Sequence, residues 1–70
     1  MYSIEARITS DGYDVFKDGQ LMGSPKTDHE LELRLNFHGI LEGICDEFMQ
    51  RLKANGQATE EMPNIKFRQI

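Results

Sequence analysis

His38, Glu42 and Cys45 stand at i, i+4 and i+7. On a helix beginning at His38 they would share one edge, and imidazole, carboxylate and thiolate are all zinc ligands. Three ligands leave a structural zinc site incomplete, and Cys45 falls within an apolar stripe, so no metal or cofactor is expected. As a nucleophile, Cys45 would need a lowered pKa and a neighbouring base, for which His38 is the candidate. A free cysteine among apolar residues is instead read as a small hydrophobe. Asp46 and Glu47 are adjacent in sequence, so on a helix they point ~100° apart and do not converge as an acid/base pair. Gly12 and Gly19 belong to turns and to no phosphate-cradling pattern. The expectation is a protein without a catalytic set.

Two charged sets remain. Glu42, Gly43, Asp46 and Glu47 occupy the side of the Gly39–Gly56 segment left over from its apolar face, and are the expected docking side for another protein. Gly39 and Gly43, four residues apart, suit close approach of a second backbone, so a homodimer through this face or through strand edges is a further expectation. Arg7, Lys66 and Arg68 would form a basic stripe if the two terminal strands were neighbours. With Tyr2, Tyr13 or Phe16 exposed beside it, that stripe suits single-stranded nucleic acid, held by charge and stacking. A net charge of −4 opposes this, because neutralising phosphates needs a basic surface. Nucleic acid is therefore the secondary partner.

The elements that must position these groups follow from periodicity. Tyr2, Ile4, Ala6 and Ile8 alternate with Ser3, Glu5, Arg7 and Thr9, which predicts a half-buried strand. Ser10-Asp11-Gly12 breaks it. Tyr13–Lys17 is a second strand, Asp18-Gly19 is a two-residue hairpin turn, and Gln20–Met22 is a brief third strand. Gly23-Ser24-Pro25 ends that strand. In His29–His38, Leu31, Leu33, Leu35 and Phe37 alternate with polar residues. Helix propensity is high there and Asp28 is available as a cap, but the period of two predicts a fourth strand.

From Gly39 to Gly56 the period becomes helical. Ile40, Leu41, Ile44, Cys45, Phe48, Met49 and Leu52 share one half of the wheel and are the predicted helical core. Asn55-Gly56 is the stop. Gln57–Asn64 reads as a polar loop, and Ile65–Ile70 as a last edge strand. The predicted fold is α+β: a small antiparallel sheet in β-β-β-β-α-β order, with one amphipathic helix packed on one face.

Seventy residues, 39% of them hydrophobic and 29% charged, predict a single compact domain spanning residues 1–70. One cysteine allows no internal disulfide, in keeping with a reducing compartment. The opening MYSIEARITS lacks the pattern of a signal peptide, and no apolar run is long enough for a bilayer. A cytoplasmic location with no membrane partner is expected.

The strand Tyr2–Ile8, the Gly12-Tyr13 turn, the amphipathic Ile40–Leu52 and the polar Asn55–Pro63 together resemble the small antitoxin domains of the HicB type. That resemblance implies a toxin nuclease as partner. The hairpin at Asp18-Gly19 and the Leu31–Phe37 segment depart from the pattern, so no site residue is carried over. In size, acidity and architecture the chain is also similar to small phage-encoded proteins, CRISPR inhibitors among them. The leading expectation is a small acidic, non-enzymatic protein that binds another protein, as a phage or mobile-element inhibitor or accessory factor. A HicB-like antitoxin, a nucleic-acid-binding accessory domain and a small metal- or thiol-dependent enzyme are the alternatives.

Overall fold

A computed structural model describes residues 1–62. The element order is β1 (Tyr2–Thr9), β2 (Gly12–Lys17), β3 (Gln20–Gly23), α1 (Asp28–Phe37), α2 (Glu42–Asn55) and β4 (Gln57–Met62). The strands form one antiparallel sheet in the order β3-β2-β1-β4. This is the expected α+β class, with two helices where the sequence reading had one. The last strand expected at Ile65–Ile70 lies outside the described residues.

Alternation in β1 places Ile4 and Ala6 on the inner face, where both are fully buried. Register carries that face across the sheet: Ala6 lies opposite Val15 and Ala58, Ile8 opposite Tyr13, and Tyr2 opposite Met62. The β2–β3 turn has Asp18 at φ 50° and Gly19 at φ 82°, the left-handed pair that matches the twist of a tight hairpin. Gly12 is required by space. A Cβ there would stand 2.7 Å from the Pro25 carbonyl oxygen, and Tyr13 N–H donates to that same oxygen at 2.8 Å.

The segment expected as a fourth strand is the helix α1. Thr27 caps it: its hydroxyl accepts from Glu30 N–H at 3.2 Å, and the Glu30 carboxylate accepts from Thr27 N–H at 3.2 Å. This reciprocal box satisfies two otherwise orphaned donors. Asp28, expected as the cap, is instead the first helical residue, where its charge suits the helix dipole. Leu31 and Leu35, four apart, are fully buried, while Leu33 is 56% exposed and Phe37 80% exposed. Half of the alternating apolar set is therefore on the surface. The helix wins because Leu, Glu and Arg are good helix formers and the cap offsets nucleation.

α2 begins at Glu42, three residues later than expected, with Leu41 at the N-cap and no side-chain cap. The late start changes which apolar residues are core. Cys45, Phe48, Met49 and Leu52 are buried, and Ile40 is buried from the preceding connection. Leu41 and Ile44, expected in the core, are 69% and 40% exposed. Gly56, at φ 80°, ends the helix with its N–H on the Leu52 carbonyl at 2.8 Å, as Asn55-Gly56 predicted.

Gln57–Met62, expected as loop, is the edge strand β4. Its inner positions are Ala58, Glu60 and Met62. Glu60 is tolerated there because Arg51 of α2 donates to it at 2.6 Å and reaches the Thr59 carbonyl at 3.3 Å. α2 packs over β4 and β1, and α1 over β2 and against α2. Tyr13 of β2 donates to Asp28 of α1, and Lys53 of α2 donates to the same carboxylate at 2.5 Å. One side-chain chain thus ties sheet and both helices together.

Candidate protein-binding surface

The first five residues of α2 and the Glu32–Asn36 stretch of α1 border a groove. Its sides carry Glu32 and Asn36 from α1 and Glu42, Gly43 and Asp46 from α2, with Cys45 at the base. The spacing explains the set. Glu32 and Asn36 are four apart on α1, and Glu42 and Asp46 four apart on α2, so each pair forms one short row along its helix. Leu31 and Leu35 turn the neighbouring row of α1, about 100° around the helix, into the core, which leaves the Glu32–Asn36 row as a flank on the groove.

None of Glu32, Glu42 and Asp46 has a salt bridge among the described residues. Their field is felt at the groove base. Burial, followed by the charges of Glu32, Asp46 and Glu42, pushes the Cys45 thiol above its ordinary value. A thiolate is therefore disfavoured, the reverse of what activates a nucleophilic cysteine. Leu41 and Ile44, three apart at the start of α2, are exposed but do not line this groove.

Of the expected docking residues, Glu42, Gly43 and Asp46 come together here. Glu47 does not: it faces away along α2 and lies 4.0 Å from Arg51, one turn on. Gly39 and Gly43 do not share a helix face, since Gly39 lies in the connection at φ 104°. A Cβ on Gly39 would stand 2.5 Å from the Tyr2 hydroxyl, which donates to the His38 carbonyl at 2.8 Å. Its glycine is required by a side chain rather than by a second backbone. Nothing lies within 4 Å of where a Cβ on Gly43 would stand.

The His38, Glu42 and Cys45 series is broken as well. His38 caps the end of α1 while Glu42 opens α2, so the three have no common helical edge. Among the described residues, no group of three or more His, Cys, Asp or Glu is placed to hold a metal ion. His38 is only 8% exposed, its ring edge-on to Phe37 at 5.3 Å, and its Nε2 has no hydrogen-bond partner. Burial first, then the charges of Arg34 and Lys17, hold its pKa below the ordinary histidine value.

Of the expected basic stripe, Lys66 and Arg68 lie outside the described residues. Arg7 is on the outer face of β1, where it donates to Glu5 at 2.7 Å and lies 4.7 Å over the Phe16 ring. Its neighbour at the sheet edge is β4, whose outward residues there are Gln57, Thr59 and Glu61. Tyr13 is on the inner face and buried, so it is not available for stacking with Arg7.

Glu32 and Asn36 are not among the expected docking residues, because a strand reading of their segment does not set them beside α2. The pattern Thr27-x-x-Glu30 is the signal that would have found them, since it marks a helix start and fixes the phase of both. Among the described residues, no helix is long and apolar enough to cross a membrane. No protein-family model, no curated protein and no solved structure matches this chain.

Proposed function

We propose that this chain is a protein-binding module whose docking surface is the acidic groove between α1 and α2. The observation that carries this reading is the set of three carboxylates, Glu32, Glu42 and Asp46, that share the groove with no cation of their own among the described residues. A Lys or Arg side chain from a partner would meet carboxylates there that no cation of the described residues engages. The complementary surface is therefore basic. An inhibitor that occupies the basic groove of another protein is the concrete form of this activity.

The test uses a fluorescein-labelled amphipathic peptide of alternating Lys and Leu turns, titrated with the full chain. The double charge reversal Glu42→Lys with Asp46→Lys should weaken binding by at least about tenfold, and the wild-type affinity should fall with salt. Glu47→Lys with Glu61→Lys, outside the groove on α2 and on the outer face of β4, is the control with the same change in net charge. Equal losses in the control and the groove variant would show that only overall acidity attracts the peptide, and would sink the assignment.

A further inference from the structure

α1 has two flanks beside its buried row. One faces the acidic groove. The other, carrying Leu33, Arg34 and Phe37, faces the segment Ser24–Lys26 that follows β3. β3 is an edge strand, with β2 on one side and no strand on the other among the described residues. The edge runs on past Gly23, because the Pro25 carbonyl still pairs with Tyr13 N–H of β2. An open groove thus lies between α1 and the Ser24–Lys26 segment that continues β3.

Its chemistry is specific. Phe37 is 80% exposed and Leu33 56% exposed, large apolar groups one turn apart. The other charges of the groove are engaged. Lys26 is 3.0 Å from Asp11, and the Glu30 carboxylate is taken by the N–H groups of Lys26 and Thr27 at 3.1 and 3.2 Å. Arg34 makes no ion pair among the described residues. Its guanidinium lies flat against Gly23, where a Cβ would meet it at 3.1 Å. The missing side chain at Gly23 is what lets this cation rest at the end of the free edge.

We propose that this groove takes an extended segment of a partner protein. The segment adds to the free edge of β3 as a further strand, sets an acidic side chain on Arg34, and sets an apolar side chain against Leu33 and Phe37. Backbone pairing with an edge supplies affinity in such complexes, and alternate side chains supply specificity. A second copy of this chain fits less well. Gln20 to Lys26 contains no acidic residue, so edge-to-edge pairing of two copies would leave both Arg34 side chains without a carboxylate from the paired strand. The site lies on the other flank of α1 from the acidic groove and does not depend on it.

The test is selection on the immobilised full chain from a pool of decapeptides. Val and Thr alternate in the pool, and alternating positions are randomised among Leu, Phe, Glu and Lys. Glu should be enriched over Lys by about tenfold at one position, with Leu or Phe two residues away, as expected for one charge-assisted hydrogen bond. The selected peptide should slow amide exchange in Gln20–Gly23. Arg34→Glu should reverse the preference to Lys. Phe37→Asp, at an exposed position that leaves the fold intact, should remove the apolar preference and keep that for Glu. No enrichment, the same enrichment on Arg34→Glu, or protection at β4 instead would overturn the proposal. So would protection of Gln20–Gly23 that rises with protein concentration in the absence of peptide, which assigns the edge to a second copy.

Discussion

α1 and α2 lie side by side on one face of the sheet, yet they are secured at opposite points. α1 begins with a reciprocal cap between Thr27 and Glu30 and buries only Leu31 and Leu35. α2 begins at Leu41 without a side-chain cap, buries Cys45, Phe48, Met49 and Leu52, and is closed by Gly56 in the left-handed conformation. The first helix is specified at its start, the second along its face and at its end. The difference shows that a helix with a weak apolar stripe can be positioned by local hydrogen bonding. One with a strong stripe needs no such start. It also explains where the exposed apolar groups are: Leu33 and Phe37 fall outside the narrow stripe of α1, and Leu41 and Ile44 lie at the uncapped beginning of α2.

The comparison breaks most sharply in the core. Phe48→Ala should cost about 3–5 kcal/mol, comparable to the whole stability of a domain this small, so the variant should be largely unfolded by circular dichroism at 25 °C. Leu35→Ala should cost about 2–4 kcal/mol in urea unfolding, whereas Leu33→Ala should stay within about 0.5 kcal/mol of wild type. Equal losses at Leu33 and Leu35 would restore the strand reading of this segment. At the helix starts, Thr27→Ala should cost about 1 kcal/mol, and Leu41→Ser should add up to about 1 kcal/mol by supplying α2 with the cap it lacks. A rise in thermal midpoint for Leu41→Ser beside a fall for Thr27→Ala would confirm that the two starts differ as described.

The smallest effect is on pH dependence. The folded state holds the His38 pKa below its ordinary value, chiefly through burial. The folded state therefore binds that proton less well than the unfolded chain. The contribution is present above the ordinary histidine value and is lost as pH falls through the depressed one. Hydrogen bonds from Lys53 and then Tyr13 hold Asp28 below the ordinary carboxylate value, so its contribution is lost in the same direction at lower pH. His38→Gln should flatten the upper part of the acid limb in a stability-against-pH profile, and Lys53→Met the lower part. An acid limb unchanged by either variant would place the pH dependence elsewhere.

Periodicity and turn residues identify β1, both tight turns, the buried Cys45, Phe48, Met49 and Leu52 of α2 though not the exposure of Leu41 and Ile44, and the α+β class. Each depends on neighbours in sequence: alternation sorts a strand into faces, Asp18-Gly19 accepts two positive φ values, and Gly56 can leave a helix where other residues resist. Glu42, Gly43 and Asp46 were legible as a surface for the same reason. Tertiary structure decided the rest. Leu31–Phe37 satisfies a period of two and a helical cap at once, and the choice falls to the capping box and to the burial of Leu31 and Leu35 against the sheet. Gln57–Met62 is polar enough for a loop, and becomes a strand because β1 offers an open edge and Arg51 compensates the charge of Glu60. The chemistry first read from the sequence, His38 with Glu42 and Cys45, depended on one continuous helix. The chain turns at Gly39 instead, and that turn separates His38 from the other two while bringing Glu32 and Asn36 up to Glu42 and Asp46. Which side chains share a surface is settled by where helices start and stop, which here is largely local, and by how the two helices pack on the sheet, which depends on contacts between segments distant in sequence.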